Sequence, residues 1–175
     1  MIAVISVALV ALLILNFCFY LYVRVQDENV VNNMMTRALG SYAGQIDTAK
    51  YFLNEYLDTK NRSLIKYEAS WCAYSAEWAV DVCRQSSNEE IYNQLWNTAH
   101  ALQSFGVYYV GEGGIINETK LTTAISSLDH IWRLLDGFEF ELKDESPIGY
   151  LTKGNGVNAT ANVIYYCQLA QDNLP

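Results

Sequence analysis

Histidine is the side chain that most often acts as a general base, and the chain has two histidines that lie far apart in the sequence. The two histidines are His100 and His130, and neither has another metal-ligating side chain at suitable spacing on its helical face. The glycines of residues 111–114 lack the spacing of a phosphate-binding loop, and the serine within residues 40–44 is misplaced for a nucleophile elbow. The sequence therefore predicts that the protein is not an enzyme and uses no cofactor and no metal.

Two larger groups of side chains offer chemistry for ligand binding. The first is acidic and surrounds Lys143, but its spacing does not fit an EF-hand loop, so a solvated acidic loop is the favoured interpretation. The second is a set of tryptophans that could line a pocket, although such residues on helical faces more often form ordinary core. The acidic residues are Asp136, Glu139, Glu141, Asp144 and Glu145, and the tryptophans are Trp71, Trp78, Trp96 and Trp132.

Cysteine spacing limits which disulfides can form. Cys18 lies in the apolar N-terminal stretch, whereas Cys72 and Cys83 are eleven residues apart on one predicted helix. At ~1.5 Å per residue they are separated by about 16 Å along the helix axis, which is too far for a bridge. A disulfide would therefore join Cys167 to Cys72 or to Cys83. Three buried reduced cysteines are the open alternative.

Three acceptor motifs for N-linked glycans occur, at Asn61, Asn117 and Asn158. All three lie at the edges of predicted helices, where a glycan can be accommodated. The motifs favour a domain that lies outside the cytoplasm.

The rest of the predicted fold, including the candidate sites described above, is built on a long N-terminal helix. Residues 1–23 contain no charged side chain. About 23 residues at ~1.5 Å each extend about 34 Å, which is enough to cross a bilayer. We expect residues 1–25 to form a transmembrane or filament-core helix and residues 26–175 to form one extracytoplasmic helical domain. This predicts a single-pass protein of a membrane or the cell surface.

Apolar residues at spacings of three and four predict an all-α domain. The long helix, hydrophobic at first and amphipathic afterwards, continues into a four- or five-helix bundle. Trp71, Trp78 and Val82 belong to the predicted inner face of the second helix. Gly40 and Gly44 are spaced to allow close approach of another helix, or alternatively only loosen their own. The predicted helices cover residues 26–58, 63–84, 88–105, 118–136 and 159–171.

The net charge of the chain limits which binding partners are expected. The formal net charge of −8 argues against nucleic acid and against an anionic membrane surface. The expected partners are instead the lipid bilayer and hydrophobic helices, supplied either by further copies or by other membrane subunits. We therefore expect an oligomer or a member of a complex.

In layout, the first helix resembles that of type IV pilin-like proteins. Residues 1–23 match the half that packs in a filament core, and residues 30–58 match the half that carries the head. Ile5 stands where bacterial pilins usually carry a Glu. The resemblance implies a filament subunit and a basic leader that is removed before Met1. We expect a non-enzymatic structural protein of this kind, with two alternatives: a single-pass accessory subunit of a membrane complex, and a sensory or ligand-binding ectodomain.

Overall fold

The structure is a computed structural model that describes residues 2–86, 89–136 and 159–174. Every regular element in these ranges is helical, and they contain no strand. The predicted all-α class, with a long first helix followed by a bundle, is therefore confirmed. The acidic cluster beyond Asp136 and the acceptor Asn158 lie outside the described residues.

Five helices are present in the described ranges. They are α1 (Ile2–Thr59), α2 (Leu64–Ala69 and Ser70–Ser86), α3 (Glu90–Ser104 and Phe105–Val110), α4 (Glu118–Leu135) and α5 (Ala159–Asn173). The first part of α2 and the last part of α3 are π-helical, and these two stretches pack against each other. Short π-helical stretches are rare and occur frequently at functional sites.

The chain divides into two compact units, Met1–Met34 and Met35–Pro175, whereas the predicted boundary lies between residues 25 and 26. In the second unit, α2 packs against α3, and α5 packs against both α3 and α4. The part of α1 in this unit contributes one buried stripe at helical spacing, because every third or fourth residue reaches the core. The stripe comprises Leu39, Tyr42, Ile46, Ala49, Leu53 and Tyr56.

Polar contacts hold this part of α1 in the bundle. The buried Tyr42 hydroxyl donates a hydrogen bond to the Leu95 carbonyl oxygen at 2.9 Å, and burial raises the pKa of that hydroxyl well above its usual value. The Lys50 ammonium lies 2.6 Å from an Asp129 carboxylate oxygen on α4. α1 then ends beside Lys60, whose φ of 58° is a left-handed conformation uncommon for a residue other than glycine.

The predicted transmembrane helix of residues 1–25 is wrong, and with it the single-pass topology and the membrane or cell-surface location. A bilayer requires about 20 consecutive, predominantly apolar helical residues. Within the part of the chain that the structure describes, none of the helices combines enough length with enough apolar character to span a membrane.

Candidate functional site

The face of α2 that packs in the core carries small side chains. Ala69, Ala73 and Ala76 are completely buried, and Val80 and Cys83 continue the same stripe at spacings of three and four. Small side chains allow a neighbouring helix backbone to approach closely, and α3 packs against this face. From Ala69 to Cys83 the inner surface of α2 is therefore built mainly from small apolar residues, whereas the larger Ile65 is buried near the start of the helix.

The close approach of α2 and α3 leaves the least room for a side chain where the two π-helical stretches meet. A Cβ atom added to Gly106 would lie 1.8 Å from Ser70 Oγ and 2.7 Å from the Ile65 carbonyl oxygen. Ser70 is itself buried, and its hydroxyl donates to the same Ile65 oxygen at 2.8 Å. Position 106 therefore admits only glycine without a shift of the backbone.

The large apolar side chains of α2 lie on the opposite, outer face. Trp71 is 68% exposed and Trp78 is 62% exposed, and Val82 is exposed beside them. The prediction that these three residues form the inner face of the helix is therefore wrong. The physical reason is that the small-residue stripe packs more closely against α3 than a stripe of tryptophans could. The remaining two tryptophans, Trp96 and Trp132, pack partly buried against the core.

The exposed side chains form one continuous surface, which we name the aromatic face. The Trp71 and Tyr74 ring centroids are 5.9 Å apart, and those of Tyr74 and Trp78 are 6.1 Å apart with the rings nearly perpendicular. Such distances are those of interacting aromatic pairs. The face comprises Tyr67, Trp71, Tyr74, Trp78 and Val82, at spacings of three and four.

A hollow of about 470 Å³ opens between the start of this face and the end of α3. Its apolar walls are Tyr67, Trp71, Tyr74 and Val107. Polar groups are contributed by Lys66, Ser70 and Gln103. The volume lies within the range of small-molecule sites in proteins.

A second hollow of about 200 Å³ lies further along α2, around Trp96. The Arg84 guanidinium carbon lies 4.4 Å from the centre of the Trp96 ring, and His100 stacks on Trp96 at 4.9 Å. Each of these basic side chains has a carboxylate partner of its own. Arg84 donates to Asp81 at 2.8 Å, and His100 Nδ1 lies 3.3 Å from Glu77 Oε2. The carboxylates of the second hollow are thus already matched by the protein's own side chains.

The histidines are not brought together. His130 stacks on Tyr166 at 4.3 Å, on the α4–α5 side of the bundle, whereas His100 stacks on Trp96 of α3. Within residues 2–86, 89–136 and 159–174, no three His, Cys, Asp or Glu side chains are grouped so that they could hold a metal ion.

The four cysteines are free thiols, so the structure does not contain the disulfide considered for Cys167 with Cys72 or Cys83. Cys18 is exposed and the other three are buried. Burial raises the pKa of the Cys167 thiol to about 12, and it also raises the pKa values of Cys72 and Cys83. Nucleophilic cysteines need the opposite shift, because the thiolate is the reactive form. The buried thiols act as small apolar core residues.

The remaining predicted sites have simple surroundings. Asn61 and Asn117 are exposed, and Asn117 also caps α4 by accepting a hydrogen bond from the Lys120 backbone at 3.1 Å. Their use as glycan acceptors stays a prediction. In the described part of the chain, nothing lies within 4 Å of a Cβ added at Gly44. Close approach of another helix at Gly40 and Gly44 therefore also stays a prediction.

Sequence reasoning missed Lys66, Tyr67 and Tyr74 as members of a common site. A signal was present, because Tyr67, Trp71, Tyr74 and Trp78 recur at helical spacing, but the same spacing also describes a buried stripe. Comparison of the chain with protein families, with curated proteins and with solved structures finds no match.

Proposed function

We propose that the protein is a structural subunit that assembles with copies of itself through residues 13–34 of α1, the N-terminal segment. The exposure of large apolar side chains on all sides of this segment carries the proposal. Leu13, Ile14 and Leu15 are 70%, 58% and 67% exposed, respectively. Consecutive residues of an α-helix point about 100° apart, so three exposed neighbours cover most of its circumference. The exposure continues through Phe17, Phe19, Tyr20, Leu21, Tyr22, Val23 and Val25.

Exposed apolar surface of this extent marks an interaction site in a folded protein. The sequence of residues 13–23 contains no charged side chain, and an identical segment offers a surface of the same chemistry. A single neighbour would cover one side of the helix and leave the others in water. Coverage of all sides needs several neighbours, and a repeated head-to-tail contact between identical chains builds a ring or a filament. A filament subunit of the pilin-like kind is therefore the favoured form of assembly.

Cys18 lies within the N-terminal segment and is exposed, whereas Cys72, Cys83 and Cys167 are buried. Oxidation of the full-length protein should therefore join chains through Cys18 wherever the segments pack together. We expect a covalent dimer on a non-reducing gel, and its loss in a Cys18→Ser variant. Light scattering on the unoxidised protein should give a mass well above that of one 19.8 kDa chain.

Charged substitutions test whether more than one side of the segment is covered. Phe17 and Phe19 lie about 200° apart around the helix, so Phe17→Lys and Phe19→Lys place a charge on different sides. Burying an unpaired charge costs at least about 3 kcal/mol, so each variant should weaken association roughly 100-fold. Ile115→Lys, at an exposed apolar residue outside the segment, is the matched control and should leave association unchanged.

The outcomes separate the rival forms of assembly. If only one of the two lysine variants dissociates, a one-sided dimer replaces the filament. If the purified chain is a monomer but joins a fixed set of unlike subunits, the accessory-subunit alternative replaces self-assembly. If the full-length protein is a monomer by light scattering and also forms no Cys18-linked dimer after oxidation, the proposal is contradicted.

A further inference from the structure

The hollow at the start of the aromatic face has walls suited to a flat apolar body. Tyr67, Trp71 and Tyr74 present ring surfaces, and Val107 of α3 lies opposite them. Trp71 and Tyr74 contact each other, with ring centroids 5.9 Å apart and a tilt of 39° between the ring planes. Aromatic rings in contact prefer offset-stacked or edge-to-face arrangements, and a planar group that lies against these two rings can adopt either.

The floor of the hollow is held rigidly. Ser70 lies in it and is buried against Gly106, where no additional atom fits. The hydroxyl of Ser70 is also fixed by its hydrogen bond to the Ile65 carbonyl oxygen. A site whose shape exists before a ligand arrives loses less entropy on binding than one that must be ordered.

Lys66 is the charged residue that lines the hollow. Its ammonium lies 5.1 Å from the centre of the Tyr67 ring, and it forms no ion pair with any residue that the structure describes. The amide of Gln103 adds a neutral donor and acceptor. A cation beside apolar rings, in a chain of net charge −8, provides local complementarity to an anion.

We propose that this hollow binds a small amphipathic carboxylate, with its planar apolar part against the exposed rings of Trp71 and Tyr74 and its carboxylate on the Lys66 ammonium. The site is independent of the assembly proposed above, because none of its residues belongs to the N-terminal segment. The second hollow does not fit such a ligand, because Asp81 and Glu77 would face the incoming carboxylate there.

Calorimetric titration of the full-length protein with naphthylacetate and with naphthylacetamide tests the proposal. The two probes share one ring system and differ in charge. A charge-assisted contact to Lys66 should make the carboxylate bind about tenfold more tightly than the amide. Lys66→Met should remove that difference, and Lys66→Arg should retain most of it. Lys120→Met, at an exposed lysine on α4, is the matched control and should behave as the unmodified protein.

Three further comparisons decide between the alternatives. Trp71→Ala should weaken both probes, because it removes a wall that both use. Phe17→Lys should bind naphthylacetate normally, so a failure of assembly and a failure of ligand binding are distinguishable. Equal binding of acid and amide, unchanged binding by Lys66→Met, or no binding of either probe would each overturn the proposal. If Trp71→Ala instead lowers the mass of the assembly, the aromatic face is a contact between copies, and the proposal is also overturned.

Discussion

The inner and outer faces of α2 reverse the usual relation between side-chain size and burial. The inner face buries Ala69, Ala73 and Ala76, while the outer face leaves Trp71 and Trp78 mostly in water. Each exposed tryptophan forgoes about 2 kcal/mol of stabilisation that burial would provide. The difference indicates that close helix packing determines which side of α2 faces the core, and it leaves the outer rings accessible to the ligand proposed above.

The largest effect that sharpens this comparison is expected at Gly106, where the inner face meets α3. Gly106→Ala places a methyl group 2.7 Å from the Ile65 carbonyl oxygen, a backbone atom that cannot rotate away. We expect the free energy of unfolding to fall by about 3 kcal/mol, at the upper end of the cost of overpacking. Urea denaturation followed by circular dichroism measures the change.

Gly44→Ala is the matched control for this substitution. Its added Cβ meets nothing within 4 Å in the described part of the chain, and alanine favours the helical state by up to about 1 kcal/mol over glycine. The control should therefore unfold at the same or a higher urea concentration. Equal stability of Gly106→Ala and the unmodified protein would show that α2 and α3 do not approach as closely as described.

An intermediate effect on stability is expected when a side chain of the inner face is made larger. A much smaller effect is expected when a side chain of the outer face is made smaller. Ala76 is completely buried, so Ala76→Leu should lower the free energy of unfolding by about 2 kcal/mol through overpacking. Trp78→Leu removes a mostly exposed ring and should change stability by no more than about 0.5 kcal/mol. Denaturant midpoints at constant slope measure both. A reversal of the two effects would mean that the tryptophan face is the buried one.

The sequence predicted those parts of the fold that depend on one clear periodicity or on a local signal. In α1, apolar residues at spacings of three and four predict one buried stripe, and Tyr42, Ile46 and Leu53 are buried at that spacing. Asn117 lies directly before the predicted helix of residues 118–136, and its side chain caps α4. Both features follow from residue type and spacing within a single element.

The faces of α2 could not be assigned in the same way, because the helix carries two apolar stripes. One contains large residues and the other contains Ala73, Ala76 and Val80, so periodicity alone does not select the buried stripe. The choice depends on the separation of α2 from α3, which in turn depends on Gly106 and on the π-helical stretches. These are tertiary features, and the hollow beside Lys66 lies where α2 and α3 meet.

The smallest expected effect concerns an ion pair of the outer side of α2. Asp81 accepts hydrogen bonds from Arg84 at 2.8 Å and from Gln85, all on the same helix. Pairs of this kind, reached by solvent, contribute about 0.5 kcal/mol or less and weaken as salt is added. Asp81→Asn should therefore change the free energy of unfolding by no more than about 0.5 kcal/mol, as measured by urea denaturation at low and high salt.

Asp129→Asn provides the contrast within the bundle, because Asp129 joins two helices through Lys50, whose side chain is only 14% exposed. The hydrogen bond from Lys50 lowers the pKa of the Asp129 carboxyl in the folded protein. Its stabilisation is therefore complete above the ordinary Asp pKa of about 4 and is lost as the pH falls through the lower folded value. At neutral pH we expect Asp129→Asn to cost about 1 kcal/mol, and the cost should shrink on acidification. If Asp81→Asn lowers the free energy of unfolding by as much as Asp129→Asn or more, the outer side of α2 contributes to stability. That result would contradict the view that this side is available for ligand binding and adds little to the stability of the fold.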